Sequence, residues 1–171
     1  MVIYIGADHR GFELKNFLKQ ELANQGYEVA DVGATELDPN DDYPAFARKV
    51  AEKVSVDFER ARGVLLCKAG VGVSIVANKY PNVRAALVAT PDQAYDSRTD
   101  DDSNILCLAS GYTDRDMAKQ ILMTWIQTPF SGEERHVRRV KQIQEVELEL
   151  AQTVAEQALA THEKLREDDD A

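Results

Sequence analysis

The chain has 171 residues, of which 44% are hydrophobic and 29% are charged, and its formal net charge is −10. This length suits one domain with its own core, and no apolar run approaches the roughly 20 residues that span a membrane. The negative charge argues against nucleic acid as the main partner, because a phosphate backbone repels such a surface. It leaves room for a small phosphorylated ligand, which needs only a local cationic pocket.

The two cysteines, Cys67 and Cys107, have neither CxxC spacing nor a neighbouring histidine cluster. A disulfide framework or a zinc site is therefore not expected, and reduced thiols in the cytoplasm are predicted. Residues 1–6 carry no basic stretch and no cleavage site, so they predict a strand and not a signal peptide.

Strands and helices are predicted to alternate along the first half of the chain. Apolar runs bounded by turn residues indicate buried strands, and apolar residues at helical spacing indicate amphipathic helices. The predicted elements are a strand at 2–6, a helix closed by Gly26, a strand at 27–32, a helix opened by Pro44, a strand at 63–67 and a short helix ending near Tyr80.

The second half repeats this order. Thr90 and Pro91 form an N-cap followed by proline in the first turn, and Thr113 with Asp116 resembles a capping box. The predicted elements are a strand at 83–89, a helix after Thr90, a strand at 104–109, a helix after Thr113 and a long helix from about Val140 to Arg166. This alternation predicts an α/β fold, a Rossmann-like three-layer αβα sandwich with a five-stranded parallel sheet and an extended C-terminal helix.

Ligands of such a sheet bind beyond the carboxyl ends of the strands, which directs attention to the loops at 7–10, 67–72 and 100–103. In the first loop, Asp8 and His9 follow a strand directly. They could transfer protons or bind an anion near a helix N-terminus. The alternative is a solvated loop in which Asp8 caps the next helix.

The second loop reads Cys67-Lys68-Ala69-Gly70-Val71-Gly72. Its glycines allow main-chain N–H groups to converge on a phosphate or a developing oxyanion. Cys67 lies where the start of a helix and Lys68 could favour a thiolate base. The alternative is a small buried hydrophobic residue beside a structural turn.

Two charged clusters remain. Asp100, Asp101 and Asp102 lack the alternating ligand spacing of a Mg²⁺ or Ca²⁺ site, so no metal is predicted and water-exposed acids at a helix end are expected. Arg135 and Arg139 are four residues apart, which on a helix gives one face able to clamp a phosphate. That face could instead pair with the excess acid of the protein itself.

Six segments together, in this order, are much more specific than any one of them. They resemble the ribose-5-phosphate isomerase B and galactose-6-phosphate isomerase family over residues 1–145. Residues 146–171 are interpreted as a helical extension with an acidic tail, within the same single domain. The segments are Asp8-His9-x-Gly11-Phe12-x-Leu14-Lys15, Asp42-Tyr43-Pro44, Cys67-x-x-Gly70-Val71-Gly72-x-Ser74-Ile75-x-Ala77-Asn78-Lys79, Arg84-Ala85-Ala86, Asn104-Ile105-Leu106 and Arg135-His136-x-x-Arg139.

The resemblance implies interconversion of aldose and ketose phosphates through an enediolate, without a metal or an organic cofactor. It also implies a homodimer or homotetramer with active sites at subunit interfaces. By this resemblance, Cys67 is the base that shuttles the proton, and Asp8 handles a hydroxyl proton. The phosphate is held by His9, Arg135 and Arg139, and Tyr43 forms a wall of the pocket. The anion hole consists of main-chain groups of Lys68, Ala69, Gly70, Val71 and Gly72.

The chain departs from the family pattern at three places. Cys67-Lys68-Ala69-Gly70 stands where the family has Cys-Gly-Thr/Ser-Gly, Gly111 stands where an arginine is common, and Asp100-Asp101 replaces a His-Asn pair whose histidine opens the sugar ring. Asp100 is expected to replace that histidine as the acid, because clustered acids favour the protonated form, and Asp101 is expected to contact the substrate. The alternatives are one subunit of a hetero-oligomeric isomerase, or a non-catalytic paralogue that binds sugar phosphates.

Overall fold

A computed structural model describes residues 1–169 of the chain, with side chains described through Ala158. Asp170, the last acid of the predicted tail, lies outside the described residues. The structure divides into two compact units, Met1–Gly132 and the segment that starts at Glu133. Its elements are strands β1 (Val2–Ala7), β2 (Glu28–Asp31), β3 (Ala61–Cys67), β4 (Ala85–Leu87) and β5 (Ile105–Ala109), and helices α1 (Phe12–Asn24), α2 (Tyr43–Val56), α3 (Val71–Ala77), α4 (Pro91–Thr99), α5 (Arg115–Gln127) and α6 (Glu134–Asp169).

All five strands pair in parallel, in the order β2-β1-β3-β5-β4. The chain leaves β1 toward β2 on one side and then returns across β1 to form β3 on its other side. The strand order therefore changes direction between β1 and β3, and in an open parallel sheet ligands bind at such a switch point. This confirms the predicted five-stranded parallel sheet.

Helices cover both faces of the sheet with separate apolar clusters. On one face, α1 and α5 contribute the buried residues Leu14, Leu18, Leu22, Ile121, Leu122 and Trp125. On the other, α2 and α3 contribute Ala47, Val50, Ala51, Val54, Val73 and Ala77. Both faces of a parallel sheet must be covered because its strands are apolar on both sides. The predicted three-layer arrangement is thus confirmed. Among the described helices, none is both long enough and apolar enough to cross a membrane.

Helix starts agree with the predictions in one case and differ in another. The Thr90 hydroxyl accepts a hydrogen bond from the N–H of Gln93 at 3.2 Å, as expected for an N-cap. The predicted cap at Thr113 is wrong. Asp114 caps α5 instead, accepting from the N–H of Met117 at 2.8 Å, because a carboxylate both accepts this bond and interacts favourably with the helix dipole. The N–H of Thr113 belongs to the preceding turn and donates to Ala109.

A buried ion pair ties α1 to β2. The Lys15 ammonium group, 1% exposed, donates to Asp31 at 2.9 Å, and Lys19 donates to the other carboxylate oxygen at 2.7 Å. Burial raises the pKa of Asp31, but the hydrogen bonds from Lys19 and Lys15 outweigh burial and hold that pKa below its ordinary value. The two lysines thus fix the end of β2, from which the loop toward the site departs.

Asp102 anchors the turn before β5. Its carboxylate binds Arg84 at 2.8 Å and Arg98 at 2.7 Å, and the two arginine side chains are 10% and 7% exposed. Its φ of +48° is the left-handed conformation that Asp tolerates better than most residues. The prediction of three water-exposed acids is therefore wrong for Asp102, which neutralises two nearly buried cations.

We expect Asp102→Ala to lower the free energy of unfolding by about 2–4 kcal/mol, because it strands two buried guanidinium groups without their partner. Urea unfolding of the wild type and the variant measures this loss. The matched control is Asp101→Ala, whose exposed side chain should contribute within about 0.5 kcal/mol. Equal losses in both variants would contradict the proposed role of Asp102.

Candidate active site

Asp8 and Cys67 lie side by side at the switch point of the sheet. The register pairs Ala7 of β1 with Leu66 of β3, so the next residues of the two strands, Asp8 and Cys67, emerge together at the carboxyl edge. They are 5% and 6% exposed. An acid and a thiol are thus neighbours at the carboxyl edge of the sheet, where the sequence predicted two of the site loops.

The Asp8 carboxylate is fixed by the turn that follows it. Oδ1 accepts hydrogen bonds from the main-chain N–H groups of Arg10 and Gly11, both at 3.0 Å. Gly11 leaves no room for a side chain, because a Cβ there would lie 2.8 Å from Cβ of Leu66. The alternative of a solvated loop in which Asp8 caps the next helix is wrong, because Asp8 is buried and Oδ1 bonds within the turn before α1, whose N-cap is Gly11. This bonding holds the carboxylate in place beside Cys67.

The glycine loop bends back onto the Cys67 thiol. The N–H of Gly70 donates to Sγ at 3.2 Å, and a donor of this kind interacts most strongly with a negatively charged sulfur. Gly70 has a φ of +71°, and a Cβ there would collide with Leu87. The loop leads into α3, where the first-turn N–H groups of Val71 and Gly72 have no partner within the helix. Such groups can stabilise a developing oxyanion.

Cys107 provides a contrast to Cys67. Both are free thiols, and Cys107 lies in the interior of β5. Burial, and then the neighbouring Cys67, raise the pKa of Cys107 far above its ordinary value, so it stays a neutral thiol. Cys67 is therefore the thiol of this chain that is placed to react.

Tyr43 covers the start of α3. A Cβ on Gly72 would lie 2.6 Å from two atoms of the Tyr43 ring, so the ring rests directly on this glycine. Because Tyr43 begins α2 and Gly72 lies in the first turn of α3, the contact locks two helices together at the carboxyl edge of the sheet. This places Tyr43 beside the glycine loop.

A cleft of about 520 Å³ opens beside these residues, lined by His9, Arg10, Leu37, Pro39, Lys68, Ser110 and Gly111. Arg10 and Lys68 make its lining cationic, and His9 adds an imidazole ring. The ammonium group of Lys68 has no hydrogen bond or ion pair within the part of the chain that the structure describes. The hydroxyl of Ser110 donates to the carbonyls of both Arg10 and Cys67, at 2.9 and 3.0 Å, which joins the two loops. Sequence reasoning missed Arg10 and Ser110.

Lys68 lies directly over Gly111. The Gly111 N–H donates to the Lys68 carbonyl at 2.9 Å, and a Cβ at position 111 would lie 3.0 Å from Cγ of Lys68. Two of the three departures from the family pattern are therefore in contact with each other.

Asp41 is a further site residue that sequence reasoning missed. Its Oδ1 accepts from the main-chain N–H of His9 at 3.0 Å and lies 2.6 Å from Nδ1 of the His9 ring. The sequence signal is weak, since Asp41 is one of three acids between Asp38 and Asp42. Only the folded loop distinguishes it from its neighbours.

Asp100 and Asp101 lie at the opposite edge of the sheet from Cys67. Cys67 pairs with Ala109 at the end of β5, whereas Asn104, just before β5, bonds to Gly63 near the start of β3. Asn104 and Ala109 are five residues apart along β5, which corresponds to roughly 16 Å of strand. The expectation that the 100–103 loop lies at the carboxyl edge is therefore wrong, because α4 carries the chain back to the amino edge before β5 begins.

Arg135 and Arg139 belong to the second unit. Both side chains are exposed on α6, four residues apart, so they share one face of that helix as predicted. Arg135 binds Glu133 at 3.0 Å, which agrees for this residue with the alternative of pairing to the protein's own acid.

The model of the ribose/galactose isomerase family matches residues 3–143. The chain belongs to this family. The match ends two residues before the predicted boundary at 145, and α6 continues to Asp169.

Solved and curated relatives support this membership. Ribose-5-phosphate isomerase B of Escherichia coli is 38% identical over 145 residues, which are 85% of this chain and 95% of that protein. The solved ribose-5-phosphate isomerase B of Mycoplasma genitalium, with bound ribulose 5-phosphate, superposes with a TM-score of 0.84 at 38% identity, covering 86% of this chain and 97% of that one. The Clostridium thermocellum enzyme gives a TM-score of 0.83 at 41% identity, covering 88% and 99%.

These similarities confirm the predicted fold and the predicted enzyme class, an isomerase. They do not favour the alternatives of a hetero-oligomeric subunit or a non-catalytic paralogue, since the relatives named above are ribose-5-phosphate isomerases B.

We expect Gly70→Ala to lower the free energy of unfolding by about 2–4 kcal/mol, because the new Cβ adds a collision to the strain of a left-handed φ. The matched control is Gly26→Ala, since Gly26 has a φ of +81° and no atom within 4 Å of an added Cβ. This control should lose only about 1 kcal/mol. Urea unfolding distinguishes the two, and equal losses would show that the loop has room at Gly70.

Proposed function

We propose that this chain catalyses the aldose–ketose isomerisation of a phosphorylated sugar through an enediolate. The observation that carries the proposal is the pair Asp8 and Cys67 at the switch point, beside a loop whose main-chain N–H groups bind negative charge. Ribose 5-phosphate is the first substrate to test, because relatives at 38–41% identity are named for it.

In the proposed mechanism Cys67 acts as the base. Its thiolate takes the proton from the carbon beside the aldehyde, and the electron pair moves onto the carbonyl oxygen to give the enediolate. The N–H groups of Val71 and Gly72 stabilise that oxygen. Asp8 transfers a proton between the two oxygens, and Cys67 then returns its proton to the first carbon, which yields the ketose.

The substrate phosphate binds to cationic groups of the cleft. His9 and Lys68 line it, and a phosphate there would give the free ammonium group of Lys68 a partner. Arg135 and Arg139 of a neighbouring subunit complete the clamp. Ala69 provides no hydroxyl, so the enediolate depends on main-chain donors, while Tyr43 closes one wall.

We propose a homodimer, and its support is that Asp100 and Cys67 lie too far apart to serve one site of a single chain. The active sites of the proposed homodimer combine Cys67 of one subunit with Asp100 and Asp101 of its partner, where Asp100 opens the sugar ring and Asp101 contacts the sugar. Val71, Ile75, Leu87 and Tyr95 are 40–55% exposed, which provides an apolar surface for the partner to cover.

Residues 146–171 are proposed to be a helical appendage of the 1–145 isomerase domain. The support is that relatives match this chain over 82–88% of its length while being covered almost completely themselves. The chain is further proposed to act in the cytoplasm, where Cys67 stays reduced.

Mixing two inactive variants tests the shared site. Cys67→Ser and Asp100→Asn should each lose most activity on ribose 5-phosphate, because each homodimer lacks one essential group in both sites. After the two are unfolded together and refolded, half of the dimers are mixed and each mixed dimer has one intact site. Steady-state assays should then recover about a quarter of wild-type activity.

Refolding each variant alone is the control and should recover nothing. Absence of recovery in the mixture, with mixed dimers demonstrated by tagged subunits, would contradict the shared site. Cys67→Ser retaining more than a tenth of wild-type activity would contradict its role as base.

We expect Arg139→Ala to raise KM for ribose 5-phosphate by roughly tenfold, since a charge-assisted bond to phosphate is lost. Arg138→Ala is the matched control, because Arg138 is also exposed on α6 but turned about 100° away from Arg139. Steady-state kinetics of both variants give the comparison. Equal KM values for Arg139→Ala and wild type would leave Arg139 as part of a solvated helix face.

A further inference from the structure

One oxygen atom of the Asp41 carboxylate, Oδ1, contacts both the main chain and the ring of His9. Oδ1 accepts from the His9 main-chain N–H at 3.0 Å and faces Nδ1 of the ring at 2.6 Å. Oδ2 is buried and has no hydrogen-bond partner among the described residues. A buried carboxylate oxygen without a partner is destabilising, so the two contacts of Oδ1 with His9 must offset that cost.

The contact determines how His9 can meet a ligand. A carboxylate only accepts hydrogen bonds, so Nδ1 of His9 carries a proton. The other ring nitrogen, Nε2, points away from Asp41, and His9 lines the cationic cleft. Because the backbone and the ring of His9 are bound to the same atom, both the position and the rotation of the imidazole are fixed.

The loop of Asp41 is itself held in place. Main-chain N–H groups of Asn40 and Asp41 bond to the side chain and the carbonyl of Asp38, at 2.9 and 3.1 Å. The same loop contributes Leu37 and Pro39 to the cleft. Asp41 therefore links the loop that closes one side of the cleft to the histidine that lines it.

A metal ion is the competing explanation, since ligand atoms of Asp8, His9 and Asp41 lie within 4.8 Å of one another. Two ligands held at about 2.0–2.1 Å from one zinc ion lie roughly 3.3 Å apart. The 2.6 Å between His9 and Asp41 is shorter, and it lies close to the about 2.7–2.9 Å of a charge-assisted N–H···O hydrogen bond.

We propose that Asp41 is a positioning residue, which holds the ring of His9 as an imidazolium that donates from Nδ1 to Asp41 and from Nε2 to the substrate phosphate. This inference rests on the proposed function, in which His9 binds that phosphate. It assigns a role to the residue that precedes the Asp42-Tyr43-Pro44 segment, and it makes phosphate affinity depend on a carboxylate that does not touch the substrate.

A double-mutant cycle tests the proposal, with kcat and KM measured on ribose 5-phosphate and Kd measured for inorganic phosphate. We expect Asp41→Ala to raise KM and Kd by about five- to tenfold with kcat within about threefold, because binding is lost and chemistry is not. Asp41→Asn keeps an acceptor oxygen and should stay within about threefold of wild type. In the His9→Ala background, Asp41→Ala should change nothing further, because its effect acts through the ring.

Asp38→Ala is the matched control, since it perturbs the same loop without touching His9. An equal effect of Asp41→Ala in both backgrounds would overturn the proposal and leave Asp41 as a loop anchor only. Loss of wild-type activity in EDTA, restored by a divalent cation, would also overturn it in favour of a metal site. If His9→Ala itself changes neither KM nor Kd, then the proposed phosphate site fails. If His9→Ala raises KM and Kd but Asp41→Ala leaves both unchanged, the phosphate site stands and only the positioning role of Asp41 fails.

Discussion

Parallel pairing of β1 with β3 determines which residues of this chain can share a site. The six-pair register ends with Ala7 opposite Leu66, so the first residues beyond the pairing are Asp8 and Cys67. A shift of one residue would turn each side chain to the other face of the sheet and separate the acid from the thiol. Pairing of β3 with β5 holds the turn before β5 at the opposite edge of the sheet, so Asp100 and Cys67 lie at opposite ends of these two strands.

The order of elements could be predicted because buried parallel strands are short apolar runs and because proline and threonine mark helix starts. Residue-level boundaries depend on competition that the sequence does not show. Thr113 and Asp114 are both good caps, and the turn after β5 takes the N–H of Thr113, which leaves Asp114 to cap α5. β4 is an edge strand that pairs only with β5, so it spans 85–87 and not the predicted 83–89.

The site was predictable where chemistry follows a strand directly, as at Asp8 and Cys67. It was not predictable where a side chain reaches across the fold. Asp102 looks like its two neighbours in sequence, yet it binds Arg84 and Arg98 from two other segments. Asp41 likewise acquires its partner, His9, from 32 residues away. Long-range polar contacts of this kind leave no periodic pattern along the chain.

The contact of Lys68 with Gly111 has an evolutionary consequence. A side chain at position 111 would press on the Lys68 stem at Cγ and on the Lys68 carbonyl oxygen, each 3.0 Å from an added Cβ, so it requires the stem to move and the main chain to shift by a few tenths of an ångström. The two positions are therefore expected to co-vary among relatives, with a cation at one and a small residue at the other. The order of the two substitutions also matters, because shortening residue 68 first removes the stem before a side chain appears at position 111. A positive charge that is lost at position 68 can then be regained at position 111, on the other loop that lines the same cleft.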